Sequence, residues 1–167
     1  MEIIKMIRGN VGDMEHLENL VDYISDDRKL NIGGNGVNYN TPYAVADQMM
    51  ALKEYYEKED NCAFIHAIVS YGEPNLTAEQ ACQYTKQIAS YFEDEYQTLW
   101  CTHAADHGCS QYHMHMLINP VSYKDGKMMN TSQANYKDFE KHVQEVTGQK
   151  TDLKFGRKAK SENKSTE

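Results

Sequence analysis

YQTLWCTHAADHGCSQYHMHMLIN, residues 96–119, decides the fold. Two stretches with β character, residues 96–103 and 112–119, flank the polar, glycine-containing AADHGCSQ, and the reading is two strands paired antiparallel. Alternate residues of a strand point to opposite faces, so His113 and His115 lie side by side while Met114, Met116 and Ile118 face away. On the preceding strand Gln97, Leu99, Cys101 and His103 share a face, and hairpin pairing brings His103 opposite the His-x-His pair. The expectation is a sheet with one apolar and one polar face, and three imidazoles converging on the open, polar one.

Outward from this hairpin, the remaining elements follow from periodicity and punctuation. EIIKMIR (2–8) reads as an opening strand ended by Gly9-Asn10. Asp13 is a candidate N-cap for a helix whose Leu17, Leu20, Val21 and Ile24 recur at helical spacing, with Tyr23 near its end. Residues 31–40, rich in Gly and Asn, read as a flexible loop, and Thr41-Pro42 as the start of a helix to about Lys58. CAFIHAIVSYG (62–72) reads as a buried strand. Thr77-Ala78-Glu79-Gln80 is a capping box that opens a helix ending near Asp94. Lys124-Asp125-Gly126-Lys127 is a turn, Ser132 opens a helix ending at Gly148, and LKF (153–155) is a last short strand. This order predicts an α+β fold, a central antiparallel sheet with helices packed on it. The expected organisation is one domain over residues 1–149, followed by a short strand and a basic, disordered tail over 150–167.

Composition narrows the function classes. A chain of 167 residues with 40% apolar residues supports one core. No apolar run is long enough to span a bilayer, and MEIIKMIRGNVGD lacks a secretory leader's apolar stretch, so a cytoplasmic, non-membrane, monomeric protein is expected. Cys62, Cys82, Cys101 and Cys109 have no C-x-x-C spacing and read as packing residues. The net charge of −8 opposes nucleic-acid binding, in which Lys and Arg contact phosphates. That charge is uneven. Residues 150–167 hold six Lys/Arg against three Asp/Glu, leaving eleven against twenty-two for residues 1–149.

Three neutral imidazoles with coordination positions to spare suit a divalent cation that still accepts a substrate oxygen. A metal-bound histidine usually donates its second ring N–H to a carboxylate or carbonyl, and Asp106 is the nearest carboxylate in sequence. The blander alternative, a His-x-His on a solvated strand face, loses ground once a third histidine stands on the adjoining strand. A closed zinc site built from Cys101, Cys109 and the histidines lacks knuckle spacing.

At these residues the chain resembles the relaxase, or mobilization nuclease, family of the HUH endonuclease group. Three tracts match in order: EIIKMIR…LENLVDYISDDRKL, AFIHAIVSYGEPNLTAEQA, and EYQTLWCTHAADHGCSQYHMHMLINPVSYKDGKMMN, together covering roughly residues 2–130. The resemblance implies that Tyr23 is a nucleophile attacking one phosphodiester at an origin of transfer, leaving a 5′-phosphotyrosyl link and a free 3′-hydroxyl. It implies that His103, His113 and His115 hold a divalent cation, Mg or Mn in function, with Zn, Co or Ni accepted by the same ligands. It also implies single-stranded or supercoiled DNA as partner, with an accessory relaxosome protein. Asp106 is the candidate to orient one ligand.

Alternatives stay open at several positions. Tyr39 and Tyr43, beside the Gly/Asn segment, compete with Tyr23, since a tyrosine near a helix end often packs on the core. His107 competes with His103, because the connection to His-x-His is longer than the family's compact run. Lys29 is followed by Leu30 where the family often has Lys-Thr, and no phosphate-binding stripe is evident in the acidic body. A rolling-circle replication initiator would use the same residues, and a truncated, non-catalytic domain binding DNA or protein is the reading from another class.

Overall fold

The computed structural model describes residues 1–10, 14–105 and 111–157, the last without its side chain. Its strands are β1 (Glu2–Arg8), β2 (Lys29–Asn35), β3 (Ile65–Ser70), β4 (Tyr96–His103), β5 (His113–Ser122) and β6 (Thr151–Arg157). Its α-helices are α1 (Met14–Ile24), α2 (Val45–Tyr55), α3 (Ala78–Ala89) and α4 (Gln133–Thr147). The strands form one sheet in the order β2-β4-β5-β3-β1-β6. All neighbours are antiparallel except β1 and β6, so the α+β expectation holds with one parallel pair added at an edge.

Helices cover both faces of this sheet. Ile4, Met6, Ile65, Ala67, Val69, Met114, Met116 and Ile118 pack against Ala81 and Ile88 of α3 and Phe139 and Val143 of α4. On the other face, Leu99, Cys101 and Leu117 are covered by Leu17, Leu20, Val21 and Ile24 of α1 and by Met49 of α2. This overturns the expectation of an open polar face around the histidines. Leu99, Cys101 and Leu117 share their side of the sheet with His103, His113 and His115, and the apolar stripe of α1 must be buried against them.

Local signals with local causes are found where expected. In the capping box, Thr77 Oγ1 accepts from Gln80 N at 3.1 Å and Gln80 Oε1 from Thr77 N at 3.0 Å. Ser132 caps α4, which ends at Gly148 in the left-handed region, φ 68°. Cys62 and Cys101 are buried thiols. The proposed Asp13 cap, Cys109 and residues 158–167 lie outside the described residues.

Two readings need correction. Residues 31–40 are not all loop, because Lys29–Asn35 forms β2 along β4. Gly33 and Gly34 are there for close approach: a Cβ on Gly33 would lie 2.2 Å from Trp100 Cζ2, and one on Gly34 2.6 Å from the Thr98 carbonyl oxygen. The segment after Thr41 opens as a 3-10 turn, Pro42–Ala44, and the α-helix that follows ends at Tyr55, short of Lys58.

Candidate active site

The β4–β5 register sets His103 directly across from His113, and Cys101 across from His115. The side-chain parity of the two strands then gathers the imidazoles of His103, His113 and His115. Ring centroids lie 4.9 Å apart for His103–His115, 5.1 Å for His113–His115 and 5.5 Å for His103–His113. One nitrogen from each falls within 4.8 Å of the other two. All three side chains are buried, at 0, 3 and 5% exposure.

Buried nitrogens without partners mark His103 and His115 as ligands in waiting. Neither nitrogen of His103, nor Nε2 of His115, has a hydrogen-bond partner among the described residues. A buried polar atom left unpaired costs on the order of 1–3 kcal/mol, so three in one cluster call for a binding partner. Burial, reinforced by His66, His103 and His113, drives the His115 pKa down to about 2, and burial likewise lowers that of His103. Burial therefore favours the neutral form of the His103 and His115 rings, which is the form metal ligation requires.

Their outer nitrogens fix which atom faces inward. His113 Nδ1 lies 3.0 Å from the Gln111 carbonyl oxygen, which only accepts, so Nδ1 carries the proton and Nε2 keeps its lone pair. His115 Nδ1 lies 2.9 Å from Nε2 of His66, and the two rings are stacked at 29°. For His115 Nε2 to present a lone pair, its Nδ1–H must donate to His66. His66 reaches the site because β3 pairs with β5 and sets it opposite Leu117, on the histidine side of the sheet.

Tyr23 lies across this cluster. It follows Leu20 by one turn on α1 and adjoins buried Ile24, so it falls on the flank of the apolar stripe and stays 37% exposed. Its ring meets that of His115 edge-on at 4.9 Å and that of His103 at 5.3 Å. The Arg28 guanidinium covers the Tyr23 ring at 4.6 Å from its centroid. Arg28 also donates from Nε and Nη2 to Asp26 Oδ2, at 3.0 and 2.6 Å, and this holds the Asp26 carboxyl below its usual range. Asp26 Oδ1 stands 3.9 Å from His103 Nε2.

Of the residues expected from the sequence, Tyr23, His103, His113 and His115 come together. Asp106 and His107 lie outside the described residues. Tyr39 neighbours Gly34, which pairs with Leu99, four residues and about 13 Å along the strand from His103. Tyr43 projects from the 3-10 turn at 82% exposure. His66, Asp26 and Arg28 were not anticipated. Strand parity hints at His66, but only the β3–β5 pairing brings it to the site.

A sheet bearing His-x-His on one strand, a third histidine on its neighbour and a tyrosine-carrying helix across them has the palm architecture of the HUH nucleases. The chain belongs to the relaxase family. The family's model, described as relaxase, MobA/VirD2-like, nuclease domain, matches residues 20–151, a span that includes Tyr23 and all three histidines. Comparison with curated proteins returned no match. Among the described residues no helix is long and apolar enough to cross a membrane.

Proposed function

We propose that this relaxase domain nicks and rejoins one strand of DNA at an origin of transfer, with Tyr23 as the nucleophile. The Tyr23 oxygen bonds to phosphorus, the bond from phosphorus to the 3′ oxygen breaks, and that oxygen leaves with the proton the phenol gives up. The product is a 5′-phosphotyrosyl link beside a free 3′-hydroxyl. Attack by that hydroxyl reverses each bond change and restores the strand. The observation that carries this reading is the packing of the Tyr23 ring on His115 and His103 at about 5 Å.

His103, His113 and His115 would hold a divalent cation, with the unpartnered buried nitrogens as donors. When bound, such an ion supplies Lewis-acid polarisation of a phosphate oxygen. Imidazole donors accept Zn, Co, Ni, Fe or Mn, and Mg or Mn is the ion this reading proposes for the reaction. The chain's own residues do the positioning. His66 and the Gln111 carbonyl set the tautomers of His115 and His113. Arg28 holds the Tyr23 ring in place and adds positive charge where a phosphate must arrive. Asp26 faces His103, and Asp106 keeps its proposed part as a carboxylate partner of one imidazole.

The test is adduct formation with a fluorescent single strand carrying the native element's origin. Wild-type protein with Mn²⁺ gives a band stable to denaturation, and Tyr23→Phe gives none while keeping its fold and its metal. An adduct that persists in Tyr23→Phe would move the nucleophile elsewhere. A rolling-circle initiator would differ only in the DNA it accepts, so a replication-origin strand serves as the second substrate.

A further inference from the structure

Tyr23 is the penultimate residue of α1, and the end of a helix is where the helix itself holds a side chain least firmly. The last carbonyls of an α-helix have no partner within it, so the final turn frays unless something outside secures it. Helix α1 has no basic residue in its last turn, and Ser25-Asp26-Asp27 follows it in place of a glycine cap. What secures it comes from β2. Lys29, the first residue of that strand, turns back and donates from Nζ to the Ser25 carbonyl oxygen at 3.2 Å and to that of Asp26 at 3.4 Å. Its backbone N–H donates to the Asp26 carbonyl oxygen at 3.2 Å. The Ser25 N–H in turn donates to the Val21 carbonyl oxygen at 3.0 Å, so the clasped residues close the turn that carries Tyr23. Lys29 also lies across from His103 in the β2–β4 register, and facing residues of an antiparallel pair share a side of the sheet. One residue thus joins the strand of a histidine of the cluster to the end of the tyrosine's helix.

We infer that Lys29 is a positioning residue for the Tyr23 nucleophile, tying the carbonyl end of α1 to β4 at His103 so that the phenol stays over the imidazole cluster. The inference rests on the nuclease reading, because the place of the phenol matters to catalysis only if it attacks there. The link is short. Ser25, whose carbonyl the ammonium grips, is two residues from Tyr23, and the strand pair carries the other end directly to His103. The ammonium is partly buried and engaged by two carbonyl oxygens, so its contribution is geometric and not a contact to phosphate. It also sets a positive charge against the negative end of the helix dipole, next to the Asp26 carboxylate, where a phosphodiester has to enter. Attack geometry is exacting: a misplacement of about 1 Å can cost about a hundredfold in rate.

The experiment compares Lys29→Met, which keeps the aliphatic stem and loses the donors, with Lys29→Arg, which keeps donors for helix-end carbonyls. Single-turnover adduct formation on the fluorescent origin strand with Mn²⁺ is followed over a range of protein concentrations. Lys29→Met forms adduct about 10- to 100-fold more slowly at saturation, with the half-saturating concentration within about twofold of wild type, and Lys29→Arg recovers most of the rate. Binding of the same strand, read by anisotropy, keeps the wild-type salt slope, whereas a lost phosphate contact would lower the log–log slope by about 0.7. Amide hydrogen exchange gives a readout free of nicking: the N–H groups of residues 23–25 exchange faster in Lys29→Met, and those of α3 do not change. Lys29→Gln carries the same expectations should Lys29→Met fail to fold. The inference is overturned by a wild-type rate at saturation, by a loss confined to half-saturation with a lowered slope, by an arginine variant as slow as the methionine one, or by unchanged exchange at residues 23–25. Its failure is separable from that of the nuclease reading. Wild-type protein that forms no adduct sinks the nuclease reading, and the exchange measurement decides on the clasp by itself; adduct formed equally fast by wild type and Lys29→Met sinks only the role of Lys29.

Discussion

If His66 sets the tautomer of His115, its removal has a calculable effect on metal-linked stability. Suppose metal-stripped protein is given Mn²⁺ or Zn²⁺ at about one hundred times its dissociation constant. Binding only to the folded state then adds about 2.7 kcal/mol. For a chain of this length each kcal/mol moves the melting temperature by about 2–4 °C, so the wild type gains roughly 5–11 °C. In His66→Ala the His115 Nδ1–H loses its acceptor at 2.9 Å, and His115 can turn its protonated nitrogen inward. Loss of such an outer partner typically weakens metal affinity 10- to 100-fold. At the same metal concentration that removes about 1.3–2.3 kcal/mol, which is about half to about five-sixths of the shift. Differential scanning fluorimetry across a metal titration reads this directly, and each variant's metal-free melt is its own baseline. His115→Ala, which deletes a ligand, shows no shift at that concentration. If His66→Ala keeps the wild-type titration midpoint, the tautomer argument is wrong; if His103→Ala, His113→Ala and His115→Ala all keep the full shift, the metal lies elsewhere.

Gly33→Ala puts a methyl 2.2 Å from Trp100 Cζ2, and the overpacking costs about 1–3 kcal/mol, read as a lower urea midpoint at unchanged m-value. A variant as stable as wild type would mean that β2 does not lie this close to β4. Burial lowers the pKa of Lys53 from 10.5 to about 8, so the folded chain binds fewer protons than the unfolded one between those values, and stability rises by up to ~3 kcal/mol as pH climbs through that window. Lys53→Met lacks this rise, so the difference in unfolding free energy between variant and wild type changes between about pH 7 and pH 10; a constant difference would show that Lys53 titrates normally.

How far these features could be read beforehand depended on whether their causes were local. The capping box at Thr77 and the close of α4 at Gly148 are set by residues within one turn, and both stand where the sequence put them. The His103–His113–His115 cluster was legible because a hairpin is nearly local, and strand parity does the rest. β2 was missed because Gly33-Gly34 is also a turn signal, and the reason for glycine there is Trp100, sixty-seven positions along the chain. The same limit hid Asp26. A carboxylate for the histidines was sought in the connection between β4 and β5, where Asp106 stands, while the turn after α1 brings Asp26 to 3.9 Å of His103 through the pairing of β2 with β4.

Net charge was the strongest objection to a DNA substrate, and its weight depends on the length over which it is counted. β3, β4 and β5 carry no Asp or Glu; acids instead crowd the helices and connections, as Glu15, Glu18 and Asp22 on α1 and Glu93, Asp94 and Glu95 before β4. At physiological ionic strength exposed charges are screened beyond about 8 Å, so a phosphate arriving beside Tyr23 would feel the Arg28 guanidinium at close range and the distant acids only weakly. Lowering the salt lengthens that reach and lets the acids repel the strand as a whole. The two effects oppose each other, so the absolute salt slope of this protein understates the number of phosphates it touches. A shallow slope in the wild type is therefore compatible with real phosphate contacts, and the change of slope in Arg28→Gln is the quantity that counts the contact at the site.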